Sequence, residues 1–280
     1  MSMTATPAAR TAALPARPPG ALRLGLSRGW LEIREFSREW EQLLFTFSLP
    51  ALLLVLLSAV FAGDGDAGPA VAAYYTASLT ATGLMSVSFQ NLGIAIATER
   101  DNGTLRRLRG LPMPRSSYFL GKVLLVLMLA VGQVALLLGI GWAFYGVQPP
   151  PAGKWFDLAW IMLLGTTACT LLGIAASSAA RSARSTQGAV VLPFLALQFV
   201  SGVFVPVHQL PDWLLGIGSL FPLKWMAQGM RSVFLPEEAA ALEAAGSWQP
   251  GTVALVLAAW CVVGLVLCMT TFRWKTAKDG

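Results

Sequence analysis

The sequence has little charge and almost no histidine. Only 12% of its 280 residues are charged, and His208 is its one histidine. Soluble globular domains carry about 25% charged residues. With a mean hydropathy of +0.63, the composition excludes an ordinary soluble domain and indicates an integral membrane protein. The net charge of +6 fits basic loops beside anionic lipid, so no nucleic-acid partner is expected.

Cysteine is also scarce. Cys169, Cys261 and Cys268 all lie inside apolar runs, so neither a disulfide framework nor a thiol active site is expected. The chain has no His-Glu-x-x-His, no Gly-x-Ser-x-Gly and no second histidine, and it therefore offers none of the usual constellations of an intramembrane enzyme or a metal site.

A nucleotide-binding loop is missing as well. Gly121-Lys122 has Ser116 where the upstream glycine of such a loop should stand, and Val123 where its Ser or Thr should follow. We therefore predict that the chain is not an enzyme and binds no cofactor.

Long apolar runs are abundant, and a membrane span needs roughly 20 mainly apolar residues. Six segments meet or approach that length, the fifth being the shortest: Leu43–Ala62, Tyr74–Ala97, Phe119–Tyr145, Leu158–Ala180, Gly188–Val205 and Thr252–Phe272. With both termini in the cytoplasm, only three of the 20 basic residues, Lys154, Lys224 and Arg231, fall outside, as the positive-inside rule requires.

The segment before the first span predicts an amphipathic helix. Its apolar residues recur every three or four positions and include Trp30, Phe36 and Trp40, with charged residues on the other side. Such a helix is suited to the inner membrane surface. The alternative is a soluble helix packed on a partner. Residues 1–24, of which the first 20 are rich in Pro and Ala, are expected to form a disordered cytoplasmic tail.

The second span is unusually polar. Its hydroxyl and amide side chains recur every four residues on one predicted face, at Ser78, Thr82, Ser86 and Gln90, with Asn91 beside them. Polar side chains in a span face protein or a water-filled path. They could line a translocation path or join helices, and the sequence leaves both open. In the fourth span, the small residues Gly165, Cys169, Gly173 and Ser177 favour close helix packing.

Two further segments interrupt the pattern. After the fifth span, two short apolar pieces separated by prolines predict a re-entrant helical hairpin. Between the second and third spans, TLRRLR predicts a short helix, with Asn102 as its cap and Gly110-Leu-Pro as its end. A capped helix with apolar residues in a basic rim is suited to docking a partner.

The stretch ERDNGTLRRLRGLPMPRSSYFLGK, from Glu99 to Lys122, resembles the signature loop of type 2 ATP-binding-cassette permeases. Matching residues are Glu99, Arg100, Gly103, Thr104, Leu105, Leu108, Pro112, Gly121 and Lys122. The segment after the fifth span resembles the second hallmark of that family, at Gly202, Phe204, Pro206, Leu210, Pro211, Trp213, Pro222 and Arg231. The Arg-Leu-Arg run, with Arg106 where relatives often carry an acid, is similar to the subgroup of daunorubicin-resistance permeases.

The resemblance implies an exporter subunit in the cell membrane, energised by a separate cytoplasmic ATPase in two copies that carries ATP-Mg. It also implies a second permease, either a copy of this chain in a homodimer, which is the expectation, or a close relative, and contact with membrane lipid. The expected ATPase-docking residues are Glu99, Thr104, Leu105, Arg107, Leu108 and Arg109. The substrate class is an amphipathic drug or natural product, with a lipid or lipid-linked glycan as the alternative.

A secondary carrier or channel is the rival class. Carriers usually hold carboxylates deep in their spans, whereas the acids of the outer loops, among them Glu243, are expected near the membrane surface. The predicted fold is thus an all-α integral membrane protein. It has six spans, an N-terminal interfacial helix and a re-entrant hairpin before the last span. Its predicted domains are a tail at 1–24, a transmembrane domain at 25–272 and a cytoplasmic tail at 273–280.

Overall fold

The computed structural model describes residues 20–61, 68–110, 114–179 and 182–271. Within these ranges every regular element is a helix, in agreement with the predicted fold class. The first part of the chain forms α1 (Ala21–Arg38), α2 (Trp40–Phe61), α3 (Gly68–Met85), a π-helical segment (Ser86–Asn91), α4 (Leu92–Asp101) and α5 (Thr104–Arg109). The remainder forms α6 (Arg115–Tyr145), α7 (Lys154–Ala179), α8 (Ala183–Val200), α9 (Asp212–Ser219), α10 (Pro222–Phe234) and α11 (Pro250–Thr271).

Five helices are long and apolar enough to cross a membrane. Among the described residues they are Trp40–Phe61, Gly68–Asp101, Ser116–Tyr145, Lys154–Ser178 and Pro250–Thr271. They correspond to the first four predicted spans and the last one. The second is longer than predicted because α3, the π-helical segment and α4 continue one another without a break.

The remaining predicted span, Gly188–Val205, corresponds to α8, which begins at Ala183 and ends at Val200. Its 18 residues would extend about 27 Å at about 1.5 Å per residue. However, α8 begins with the polar run Arg184 to Gln187 and is not among the five helices above. The prediction of six spans is therefore not established.

Helix α3 is the central element of the bundle, with α2, α6, α7 and α10 packed around it. Nearly all its side chains from Tyr75 to Met85 are buried. This explains why the second span tolerates so many hydroxyl groups, since its sides face protein.

Helices α9 and α10 occupy the segment that was predicted to form a re-entrant hairpin. Helix α10 is buried from Pro222 to Val233 and packs on α3, α7 and α11, whereas Trp213 of α9 and Leu220, which follows α9, are exposed. Two short helices are present, as predicted, and whether they enter the membrane from one side stays a prediction.

The row of small residues on α7 allows close packing, as predicted. A β-carbon at Gly165 would lie 2.8 Å from the methyl carbon of Met226 on α10. One at Gly173 would lie 2.7 Å from the carbonyl oxygen of Phe89 in the π-helical segment. Because the contact at Gly173 is with backbone, only glycine lets α7 approach the π-helical segment this closely.

The first helix begins earlier than the predicted boundary. Helix α1 starts at Ala21, so residues 21–24 are helical instead of belonging to a disordered tail. The tail residues 1–19 and 273–280 lie outside the described part of the chain.

Candidate functional site

The predicted docking helix is present as α5, but it begins differently from the prediction. Asn102 ends α4 and its side chain does not cap α5. The turn is made by Gly103, whose φ of 73° is in the left-handed region that favours glycine. The predicted cap is therefore wrong, and Gly103 sets the angle between α4 and α5. Helix α5 ends at Arg109, followed by Gly110, as predicted.

The predicted docking residues of α5 point in different directions. Arg107 is exposed, and Thr104 and Leu108 are partly exposed. Leu105, in contrast, is 1% exposed. It therefore anchors α5 within this chain and offers no surface to a partner, contrary to its predicted role. The side chain of Arg109 lies outside the described part.

Glu99 is also turned inward, into a group of charged side chains that we call the ionic cluster: Arg28, Glu32, Glu99 and Lys122. The buried amine of Lys122 donates hydrogen bonds to the carboxylates of Glu32, at 2.6 Å, and of Glu99. Arg28 pairs with Glu32 at 2.8 Å. The cluster connects α1, α4 and α6, and hydrogen-bonded ion pairs of this kind hold elements in one arrangement.

Tyr118 extends this connection, because its hydroxyl donates to Glu99 at 2.7 Å. The sequence analysis did not assign Arg28 or Glu32 to the site, because both were counted on the charged face of an amphipathic helix. The sequence signal was Gly25-x-x-x-Gly29, which marks the side of α1 that approaches another helix.

Arg100 and Asp101 connect the same end of α4 to two other helices. The guanidinium of Arg100 donates to the carbonyl oxygen of Ser177, near the end of α7, at 2.7 Å. The carboxylate of Asp101 accepts from the backbone N–H of Ala183, at the start of α8, at 2.6 Å. Three consecutive residues at the end of α4, 99 to 101, thus connect α4 to α1 and α6, to α7 and to α8, just before α5 begins.

Helix α1 lies along α6 through its glycines. A β-carbon at Gly29 would be 2.7 Å from a methyl carbon of Leu124, and one at Gly25 would be 2.5 Å from a methyl carbon of Leu120. The buried face of α1 is Gly25, Gly29, Glu32 and Phe36. Trp30 is 66% exposed, and Trp40, which starts α2, is exposed too. Of the three aromatic residues predicted to face the membrane surface, Phe36 instead packs in the core.

Four of the five residues of the predicted polar stripe line one cavity. It has a volume of about 430 Å³ and lies between α2, the α3–π-helical region and α8. Thr82, Ser86, Gln90 and Asn91 belong to its wall. We call it the neutral cavity, because none of its lining side chains is charged: Gln42, Phe45, Thr46, Leu49, Pro50, Leu53, Thr82, Ser86, Gln90, Asn91, Phe194, Leu195, Gln198 and Phe204.

Ser78 does not line the neutral cavity. Its hydroxyl accepts a hydrogen bond at 3.1 Å from Arg231, which is fully buried. Arg231 also donates two hydrogen bonds to Glu243, one of them at 3.1 Å, and one at 3.3 Å to the carbonyl oxygen of Gly202. The expectation that Glu243 lies near the surface is wrong, because this carboxylate is buried against its cationic partner.

A second cavity of about 320 Å³ lies between α1, α4 and α6. Its wall includes four glutamates and one lysine. They are Glu32 and Glu35 of α1, Glu39, which follows α1, Glu99 and Lys122. We call it the acidic cavity. Gln42 and Asn91 line both cavities, and the amide of Asn91 donates to the hydroxyl of Thr46 at 3.1 Å. The two cavities therefore adjoin at Gln42 and Asn91, next to this hydrogen bond.

A helical membrane bundle with a polar cavity occurs in transport proteins and in other membrane proteins, so the fold alone does not identify the family. Sequence comparison does. Residues 26–235 match the family described as ABC-2 type transporter. The chain belongs to the ABC-2 type transporter family. With five apolar helices long enough to span a bilayer, this ABC-2 chain is a multi-pass membrane protein.

Curated relatives are more distant. The chain is similar to the "Probable multidrug ABC transporter permease YbhR" of Escherichia coli strain K12, with 26% identity over 58% of this chain and 42% of that protein. It is also similar to the "Putative transport permease ycf38" of Porphyra purpurea, with 26% identity over 66% of this chain and 65% of that protein. The chain thus spans less than half the length of the bacterial relative.

Proposed function

We propose that this ABC-2 chain is the membrane-spanning permease subunit of an ATP-driven exporter. It moves an amphipathic drug or natural product across the cell membrane. A separate cytoplasmic ABC ATPase, in two copies, binds ATP-Mg and supplies the energy. The permease acts as a homodimer, with both termini in the cytoplasm, α8 as the sixth span, and α9 and α10 as a re-entrant hairpin.

The observation that supports this proposal most directly is the attachment of α5. Residues 99 to 101, at the end of α4 and just before α5, bond to α6, α7 and α8, and Lys122 continues the connection to Glu32 on α1. A displacement of α5 that passes through the turn at Gly103 to α4 would have to break these bonds or carry the partner helices along. This is the arrangement required if a soluble ATPase drives a membrane bundle through one short helix, since coupling needs a contiguous physical connection.

The docking surface on α5 consists of the residues that remain accessible. Arg107 is exposed and Leu108 is partly exposed, so they offer a cation and an apolar side chain to a groove on the ATPase. The buried Leu105 anchors α5 to the rest of the chain, and Glu99 transmits the movement of α5 through the ionic cluster.

The neutral cavity is the proposed translocation path. Thr82, Ser86, Gln90 and Asn91, with Gln42, Thr46 and Gln198, supply polar groups to a wall that otherwise contains aromatic, aliphatic and proline side chains. Ligand sites combine a mainly apolar wall with a few polar groups, and this composition suits a molecule with both apolar and polar parts. The multidrug description of YbhR and the Arg-Leu-Arg run of the daunorubicin-resistance subgroup support a drug-like substrate.

The test is purification of the tagged chain from its native host in mild detergent. We expect a soluble ATPase to copurify in equal amount, and Arg107→Glu to weaken its retention by about tenfold, because charge reversal in an interface is repulsive. Arg184→Glu is the matched control, since Arg184 is an exposed arginine at the start of α8. A chain that purifies alone in every detergent would overturn the proposal.

A further inference from the structure

The acidic cavity, at the end of the molecule that carries α5, adjoins the neutral cavity in its interior. They share Gln42 and Asn91 in their walls. Their volumes are about 320 Å³ and about 430 Å³, so either can hold a substantial part of a drug-sized molecule. A ligand that passes from one to the other meets the charged side chains first.

The acidic cavity carries an excess of negative charge. Lys122 is the one cation in its wall, and it is bonded to Glu32 and Glu99. Glu35 and Glu39 are exposed, and within the described part of the chain they make no ion pair. This is the reverse of the overall charge of +6. A cleft with one sign of charge between apolar walls concentrates ligands of opposite sign.

The neutral cavity contains polar atoms that lack partners. The hydroxyl of Thr82 and the amide oxygen of Gln198 have no hydrogen-bond partner among the described residues, and both side chains are almost fully buried. The amide oxygen of Gln90 is also without a partner. A buried polar atom without a hydrogen bond costs about 1–3 kcal/mol. A ligand that brings N–H or O–H donors would remove this cost.

We propose that the two cavities bind a cationic amphiphile, an organic ammonium group attached to an apolar body. Glu35 and Glu39 attract the ammonium group at the acidic cavity. Thr82, Gln90 and Gln198 then accept its N–H donors in the neutral cavity, while the body lies against Phe45, Leu49 and Phe194. This inference rests on the proposed function and adds the charge class of the substrate.

The other charge classes fit the same walls less well. An anionic amphiphile, such as one with a phosphate or carboxylate, meets Glu35 and Glu39 and finds no unpaired cation in either cavity wall. An alcohol can satisfy the oxygens of the neutral cavity but gains nothing from the two glutamates. An ammonium ion uses both features, since it has several donors and carries positive charge.

The experiment measures equilibrium binding of three probes to the full-length chain in lipid nanodiscs. The probes share one tritiated phenylalkyl body and end in a primary ammonium, a hydroxyl or a carboxylate. We expect the ammonium probe to bind about tenfold tighter than the alcohol at low salt, and the carboxylate to bind weakest. The preference should fall as salt screens the charges over a Debye length of about 10 Å at 0.1 M.

Two sets of variants separate the parts of the site. Glu35→Gln with Glu39→Gln should reduce the preference for ammonium over alcohol to within about threefold, because the negative potential that the two carboxylates impose on the adjoining cavities is lost. Thr82→Val with Gln198→Leu should weaken both probes alike. Glu41→Gln is the control, since Glu41 is an exposed acid at the start of α2 outside both cavity walls.

Equal binding of the three probes, or an ammonium preference that survives the Glu35→Gln and Glu39→Gln pair, would overturn the inference. The proposed function fails separately. If the ammonium preference holds and no ATPase copurifies with the chain, the site is correct and the exporter assignment is wrong. If the ATPase copurifies and the preference is absent, the exporter stands and its substrate is not a cation.

Discussion

Arg231 and Glu243 are joined by two hydrogen bonds in the interior of the protein, and Arg231 has no exposed surface. Their partners lie on different elements, since Arg231 also reaches Ser78 on α3 and the turn at Gly202. The pair therefore holds the segment after α10 against the central helix of the bundle.

Removing only one partner of the Arg231–Glu243 pair should strongly destabilise the protein. Glu243→Leu leaves the guanidinium buried without its counter-ion, which costs about 3–5 kcal/mol. We expect a large drop in the thermal unfolding midpoint of the chain in nanodiscs. Replacing both partners, Arg231→Met with Glu243→Leu, should recover much of the loss, because no charge then remains buried.

The matched control is an ion pair on the surface. Lys154 and Glu237 lie 3.3 Å apart with side chains 30% and 72% exposed, and such pairs contribute about 0–1 kcal/mol. Glu237→Leu should leave the midpoint almost unchanged. Equal effects of Glu237→Leu and Glu243→Leu would contradict the structural role of the buried pair.

Gly173 should not tolerate a side chain. A β-carbon there would lie 2.7 Å from the carbonyl oxygen of Phe89 and 2.9 Å from that of Ser88. Because both contacts are with backbone, Gly173→Ala would have to separate α7 from the π-helical segment, at a cost of about 1–3 kcal/mol. Gly188→Ala, on α8 with no atom within 4 Å of the added carbon, is the control. It should stabilise by up to about 1 kcal/mol, and a similar loss for both would refute the packing argument.

The hydrogen bond from Asn91 to Thr46 should restrict passage between the two cavities. Thr46→Val removes the acceptor at nearly constant volume, and a hydrogen bond contributes about 0.5–1.5 kcal/mol. Thr82→Cys, in a chain with its native cysteines replaced, should then react about two- to tenfold faster with a cationic thiol reagent.

Thr46→Ser keeps the hydroxyl and serves as the control for this rate. The hypothesis requires the slow, unaltered rate in Thr46→Ser and the fast rate in Thr46→Val. If Thr46→Ser accelerates labelling and Thr46→Val does not, the size of the side chain and not its hydrogen bond separates the cavities.

Trp30 should lie in the membrane interface. It is 66% exposed and projects from α1 away from the face that packs on α6, and amphipathic helices bury such residues about 5–10 Å into the boundary region. A spin label at Trp30→Cys in nanodiscs should be reached by oxygen more readily than by a water-soluble relaxation agent. A label at Glu35→Cys, exposed about 140° further around the same helix, should show the opposite. The same water accessibility at both positions would favour the alternative of a soluble partner helix.

The features that the sequence predicted are those with a local signal. Apolar runs located α2, α3, α6, α7 and α11, and the Gly-rich row on α7 predicted its close contacts. The end of α5 could be predicted because Gly110 interrupts helical sequence locally. Leu105 illustrates the limit: on a helix of six residues, spacing does not tell which side faces the chain itself.

Features that depend on distant parts of the chain were not predicted. Glu32 and Lys122 are separated by 90 residues, and Glu32 has the sequence context of an ordinary exposed acid. The same holds for Glu243, whose burial depends on Arg231 and on the turn at Gly202. Charge patterns along one helix do not show which acid is enclosed when another helix packs against it.

The π-helical segment between α3 and α4 has a further consequence for the whole second span. One residue more than an α-helical turn is accommodated there, and each residue of an α-helix accounts for a rotation of about 100°. The directions in which Glu99, Arg100 and Asp101 point therefore depend on the number of residues in the π-helical segment, although that segment lies several turns earlier in the chain. Deleting Val87 would restore regular winding and rotate all three away from Lys122, Ser177 and Ala183 together. The π-helical segment thus sets the rotation of α4, which leads to α5, relative to the cavity-lining residues of α3.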